Sequence, residues 1–235
     1  MQLQRYFDRI GYSGAATPSL DALAAVHRHH ACGITYENLD VVLEIPVDQS
    51  PARIFEKIVE QQRGGWCYEM NGLLGWALAE MGFQVKRVCG GVMRAERGDS
   101  AFGNHLVLQV TVDGQPWIAD VGLGDGILEP IPLREGTHQQ FGRSFQLQHL
   151  DNKEWRFQNR TDGLPLSYDF VDDSTTETRL AQTCSDLQSD PNSMFRQNLI
   201  CQRMTEDGGM MLLGRVLRSF DPTRPRRLLQ SEAEL

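Results

Sequence analysis

No apolar run in this 235-residue chain approaches the roughly 20 residues that a membrane-crossing helix needs. The first residues, Met1-Gln2-Leu3-Gln4-Arg5-Tyr6, lack the apolar stretch of a secretory leader. Positive charge is in deficit, with 23 Lys and Arg against 31 Asp and Glu and a formal charge of −8. Such a chain has no general attraction for nucleic acid or an anionic membrane, so neither is expected as a partner. Cysteine is scarce and odd in number: Cys32, Cys67, Cys89, Cys184 and Cys201. Five scattered thiols argue against a disulfide framework and for a cytoplasmic location. Internal repeats and low-complexity tracts are also missing. What remains is 40 % hydrophobic and 23 % charged residues, the composition of a globular protein able to bury a sizeable core in one or two domains.

The first 80 residues read mainly as helix. Leu3, Tyr6, Phe7 and Ile10 have helical spacing, Thr17-Pro18 offers a cap before Leu20 and Leu23, and Ser50-Pro51 repeats that signal before Ile54 and Ile58. A further helix starts near Cys67, places Leu73, Leu74, Ala77, Leu78 and Met81 on one face, and stops at Gly82. The period then changes. Leu106, Leu108, Val110 and Val112 alternate with their neighbours, Asp113-Gly114 signals a hairpin, and the return strand runs through Trp117 to Val121. Further strands are expected at 85–93, 144–149, 154–159 and 210–217, with Asp-rich loops such as Asp172-Asp173 between the later ones. The expected class is α+β: a helical part over 1–83, an antiparallel β part over 84–185 and a short mixed part over 186–235.

One segment carries chemistry: Arg63-Gly64-Gly65-Trp66-Cys67-Tyr68-Glu69-Met70-Asn71-Gly72. Cys67 stands at the start of a helix after two glycines, where backbone N–H groups and the helix dipole favour the nucleophilic thiolate. A cysteine at this place is also an ordinary core residue in many folds, as are the other four here. His105, at the start of a strand, and Asp120, in the return strand, supply a base and its orienting carboxylate. Histidine there is more often a satisfied polar group. An aspartate in a strand is harder to dismiss, because a charge is costly to bury unpaired.

The hairpin tests the triad geometrically. A two-residue loop at Asp113-Gly114 pairs Val112 with Gln115 and makes paired numbers sum to 227, a register that a four-residue loop shares, so His105 and Asp120 become diagonal neighbours on one face, roughly 7–8 Å apart. A three-residue loop would place them on opposite faces. Pro116 conflicts mildly with this pairing, because it cannot donate to a ladder. Such a triad performs acyl transfer: the thiolate attacks a thioester or amide carbonyl and His105 manages the proton.

At these residues the chain resembles the arylamine N-acetyltransferase family. The Arg63–Glu69 segment followed by Asn71, the His105 strand start, Asp120-Val121-Gly122-Leu123-Gly124, Tyr36-Glu37-Asn38-Leu39, and Ser193 to Cys201 match the family's pattern in order. The resemblance, over about residues 3–217, implies a helical bundle, a β-barrel and an α/β lid, with a cysteine triad like that of papain and transglutaminases. It implies ping-pong transfer from acetyl-CoA, a substrate rather than a resident cofactor, to an aromatic amine or hydrazine. The implied catalytic residues are Cys67, His105 and Asp120. The implied substrate- and CoA-binding positions are Trp66, Tyr68, Asn104, Gly122, Leu123 and Gly124, and the structural support is Arg63, Glu37 and Asn71, with Glu37 and Arg63 as a buried ion pair. No metal is implied.

Three departures bear on function. Leu123 stands where the family has phenylalanine in the acyl and amine pocket, which removes stacking surface. Thr35-Tyr36 replaces Pro-Phe and adds a buried hydroxyl. The last run, Leu228 to Leu235, is short for the family's C-terminal helical region and implies a reduced lid and a more open site. These motivate alternatives: an amide synthase moving a longer acyl group from a carrier-protein or CoA thioester, a thioester hydrolase, or a binding protein with a vestigial site. Other features read as structural. His27-Arg28-His29-His30 has no further ligands at metal spacing, Gly122-Leu123-Gly124-Asp125-Gly126 precedes no helix, Met210 to Leu213 reads as a buried strand, and Arg224, Arg226 and Arg227 as a solvated tail.

Overall fold

A computed structural model describes residues 1–161, 163–171, 175–221 and 223–234. The Asp172-Asp173 loop and Leu235 lie outside the described residues. Helices α1 (Leu3–Ile10), α2 (Leu20–Gly33), α3 (Leu39–Val42), α4 (Pro51–Phe55, continued by a π turn over Glu56–Glu60) and α5 (Cys67–Glu80) form the first part. Helix α2 is capped by Ser19, whose hydroxyl accepts from the Ala22 N–H at 3.2 Å. The start is therefore two residues later than the Thr17-Pro18 pair suggests, because Ser19 holds the extended backbone a cap requires. At the end of α5, Gly82 takes φ +91° while the Gly82 and Phe83 N–H groups bond back to Ala79 and Leu78.

Eight antiparallel strands follow in one sheet: β2 (Gln84–Val92), β3 (His105–Val112), β4 (Gln115–Ala119), β5 (Ile131–Pro132), β6 (Gly136–Gln140), β7 (Arg143–His149), β8 (Trp155–Gln158) and β9 (Ser167–Val171), with the short α6 (Arg94–Arg97) after β2. Their order is β5-β4-β3-β2-β9-β8-β7-β6. The Gln140 carboxamide bridges the two ends, accepting from the Leu128 and Glu129 N–H groups and donating to the Glu129 carbonyl, so the sheet is a nearly closed barrel. Helices α7 (Thr176–Ser189) and α8 (Met194–Gln197) lead to a second sheet, β1-β10-β11-β12-β13, in which β1 (Tyr36–Glu37) pairs with β10 (Ile200–Thr205), and β11 (Gly208–Leu213), β12 (Val216–Ser219) and β13 (Arg227–Leu228) complete it.

The strand expected over 210–217 is a hairpin, because Gly214 turns the chain at φ +57° between β11 and β12. Nor is Met210 to Leu213 buried throughout: Met211 is enclosed while Met210 and Leu213 are exposed. The β3–β4 hairpin has the expected register, Val112 opposite Gln115. Asp113 and Gly114 both have positive φ, which gives the two-residue turn. Pro116 fits because Thr111 and Pro116 alternate with the hydrogen-bonded Val112–Gln115 pair, so the ring nitrogen faces away from β3. No described helix is long and apolar enough to cross a membrane.

Candidate active site

Two glycines deliver Cys67 to its place. A Cβ on Gly64 would lie 2.1 Å from the Thr35 carbonyl and 2.7 Å from the Glu37 side chain, so only glycine allows this stretch to run beside β1. The Gly65 carbonyl accepts from the Glu37 N–H at 3.0 Å, and α5 then begins at Cys67. Glu69 in the first turn accepts from the Trp66 N–H at 3.2 Å, half of a capping box.

His105 and Asp120 meet as the hairpin register requires. His105 Nε2 is 2.8 Å from Asp120 Oδ2, and both side chains are buried. The other carboxylate oxygen, Oδ1, accepts from Asn71 Nδ2 at 2.8 Å and from the Gly122 N–H at 2.9 Å. Asn71 also donates to the Leu106 carbonyl and accepts from the Val121 N–H, which ties α5, β3 and the end of β4 together. Burial alone would raise the Asp120 pKa. The His105 charge and these hydrogen bonds outweigh it and hold the carboxyl below its ordinary value. With Nε2 engaged by Asp120, Nδ1 is the nitrogen left for the thiol proton.

The thiol differs from expectation. Cys67 is 3 % exposed, and burial, reinforced by Cys184, pushes its pKa well above the ordinary value, although the N–H groups of Leu106 and Tyr68 act in the opposite direction. The helix terminus by itself does not make a thiolate here, because desolvation outweighs it. Ionisation therefore depends on a proton acceptor.

The other expected binding residues divide. Trp66 and Tyr68 are fully buried: Trp66 packs edge-on against Tyr68 and Phe195, and Tyr68 donates to the Gly103 carbonyl at 2.6 Å. Asn104 is occupied by the Val92 backbone, and its carbonyl lies 3.8 Å from Cys67 Sγ. Gly122 is required by space, since a Cβ there would lie 2.6 Å from Asn71 Nδ2 and 2.9 Å from the Cys67 Cα. A Cβ on Gly124, at φ +80°, would collide with Gln202. Leu123 is buried in the barrel cluster with Val107, Ile118, Ile127 and Ile131, so its side chain packs in the core. Tyr36 is buried and shares the lining of a small cavity with Asp120, Gly124 and Gln202; burial, with Cys67 and Asp120 nearby, keeps its hydroxyl protonated.

The Glu37–Arg63 pair is one leg of a larger network. Arg63 is 3.4 Å from Glu37 but 2.7 Å from Asp40, and it remains about one-third exposed. The buried cation is Lys57, absent from the sequence reading, with its Nζ 2.8 Å from both Asp40 and Glu69. Burial pulls the Lys57 pKa down, and Glu69 and Asp40 outweigh it, so the ammonium persists. A lysine beside Ile58 and Val59 in one turn was its only signal. Replacing Lys57 by methionine leaves Glu69 buried without its cation and Asp40 with Arg63 alone, and is expected to cost about 3 kcal/mol. A urea titration with a lowered midpoint and unchanged slope checks this.

His27, His29 and His30 bind no common point. They bond to Leu128 and Asp120, to Ile10, and to Tyr6 respectively. Among the described residues no group of three or more His, Cys, Asp or Glu is placed to hold a metal.

A family profile described as N-acetyltransferase matches residues 19–232. The arylamine N-acetyltransferase of Mycolicibacterium smegmatis is 38 % identical over 225 residues, which cover 92 % of this chain and 82 % of that protein. A solved structure of the M. smegmatis arylamine N-acetyltransferase superposes with a TM-score of 0.89 at 32 % identity, covering 100 % of this chain and 88 % of that one. The Mycobacterium marinum arylamine N-acetyltransferase in complex with CoA superposes with a TM-score of 0.88 at 30 % identity, covering 99 % and 88 %.

Proposed function

Because the chain belongs to the arylamine N-acetyltransferase family, we propose that it moves an acetyl group from acetyl-CoA to an aromatic amine or hydrazine through a thioester on Cys67. The observation that carries the mechanism is the buried 2.8 Å contact of His105 with Asp120, on the hairpin packed against the start of α5. His105 Nδ1 takes the Cys67 proton, and the sulfur attacks the acetyl carbonyl carbon. The carbon–sulfur bond to CoA breaks, and the CoA thiolate leaves with the proton from His105. In the second half the amine nitrogen attacks the Cys67 thioester, His105 accepts the amine proton, and Cys67 departs with it as the thiol. Asp120 holds the imidazole orientation and stabilises the imidazolium formed in each half.

The CoA complex of the M. marinum relative supports CoA as the acyl carrier. Burial of Cys67 weighs against the hydrolase alternative, which needed an open site. Mixing the protein with acetyl-CoA and no amine should give one acetyl group on Cys67 by intact mass and peptide mapping, with free CoA released in equal amount. Aniline should then discharge it as acetanilide. An unacetylated Cys67 that still reacts with an alkylating agent would point to a different acyl donor.

A further inference from the structure

The Asp120 carboxylate is placed by a loop, and that loop is held at both ends by one side chain. Strand β4 stops at Ala119, so the Asp120 N–H is not part of the β3–β4 ladder. It donates to His27 Nε2 at 3.0 Å instead. Eight residues later, the Leu128 carbonyl lies 2.8 Å from His27 Nδ1. A carbonyl only accepts and a backbone N–H only donates, so the two partners fix the tautomer: the proton is on Nδ1 and the lone pair on Nε2. The imidazole is wholly buried on α2. Burial keeps it uncharged, with a pKa lowered to about 4 against the opposing effects of Leu128 and Asp120. Between the two anchors lie Gly122, which donates to the Asp120 carboxylate, and Val121, which is held by Asn71.

We propose that His27 is a positioning residue for Asp120: by tying the Asp120 N–H and the Leu128 carbonyl to helix α2, it sets where the carboxylate stands relative to His105. Asn71 fixes the carboxylate from α5, and His27 fixes the backbone beneath it from α2. Removing the acceptor at Nε2 would leave a buried N–H unpaired and let the first residue of the loop turn to find another partner. Its carboxylate would turn with it. The inference rests on the triad reading of Cys67, His105 and Asp120.

Two substitutions separate the two bonds. Asparagine at 27 places its amide near Nδ1 and keeps the bond to Leu128 without an acceptor for Asp120. Glutamine places an oxygen near Nε2 and keeps the bond to Asp120. For His27→Asn the single-turnover rate of Cys67 acetylation at saturating acetyl-CoA should fall by about tenfold or more, the scale of a small misplacement of a reacting group. The acetyl-CoA concentration for half-saturation should stay the same, and the pH midpoint for Cys67 alkylation by iodoacetamide should move, because that midpoint reports the Cys67–His105–Asp120 unit. His27→Gln should recover most of the rate. An Asn variant that loses only thermal stability, with rate and alkylation midpoint intact, or a Gln variant as slow as the Asn one, overturns the proposal. If His27→Asn does not fold, the imidazole ¹⁵N spectrum of the unaltered protein decides: an Nδ1–H tautomer is required at neutral pH, and an Nε2–H tautomer overturns it. An unaltered protein that never forms acetyl-Cys67 fails the triad reading, whereas one that does while His27→Asn matches it fails this inference alone.

Discussion

Cys67→Ala should abolish acetyl transfer, and Cys67→Ser should come close, with losses of about 10⁴-fold or more. Alanine leaves no atom to carry the acetyl group. Serine keeps an oxygen of nearly the same size, but an alkoxide is far costlier to form than a thiolate. The site already opposes ionisation: burial pushes the Cys67 thiol well above its ordinary pKa, against the N–H groups of Leu106 and Tyr68, which favour the anion. In the proposed mechanism the His105–Asp120 pair overcomes that for a thiol and is not matched to a hydroxyl. Because Cys67 sits in the first turn of α5 and is small, both variants should fold. Circular dichroism and the thermal midpoint should match the parent while acetyl-CoA gives no adduct. Turnover by Cys67→Ala near the parent rate would remove the cysteine mechanism.

Asp120→Asn should keep the fold and lower the rate of Cys67 acetylation by about 10³- to 10⁴-fold. The side-chain contacts determine how the amide sits. Oδ1 has two donors, Asn71 Nδ2 and the Gly122 N–H, so the asparagine oxygen must take that position. Its NH₂ then faces His105 Nε2, where a carboxylate oxygen faced it at 2.8 Å. Facing a donor, Nε2 must accept, and the imidazole proton moves to Nδ1. The nitrogen meant to take the Cys67 proton is then already protonated. The charge that stabilises the imidazolium is lost as well. The readout is a rate lost with little change in the half-saturating acetyl-CoA concentration, together with slow alkylation of Cys67 at neutral pH. A variant that acetylates within about tenfold of the parent would mean that Asp120 is only a structural carboxylate.

Both predictions follow from a geometry that was legible in advance. Asp113-Gly114 accepts positive φ at both positions, the two-residue turn fixes the register, and the register puts His105 and Asp120 on one face. Glycines at 64 and 65 and the apolar face of α5 likewise announced the Cys67 turn. Short or enclosed elements were not legible. Strand β1 has two residues and shows no period. Strand β9 is enclosed over Ser167 to Phe170, so no alternation marks it. The β11–β12 hairpin hid behind a continuous apolar stretch until Gly214 turned it.

The residues that support the site from other elements were legible in kind but not in role. His27 and Lys57 are visible as polar groups on otherwise apolar helical faces. Their partners are distant in sequence: Leu128 lies 101 residues from His27, and Asp120 lies 93. Sequence periodicity reports which face of an element is buried and never what that face meets. By itself, the sequence determined the elements around Cys67, the hairpin register and the meeting of His105 with Asp120, because each depends on local backbone geometry. Only the tertiary structure decided that Leu123 fills the barrel core, that Lys57 is the buried cation, that Cys67 is desolvated beyond what its helix offsets, and that α2 holds the Asp120 loop. Those outcomes depend on which surfaces meet and exclude water, and packing across the whole chain sets that.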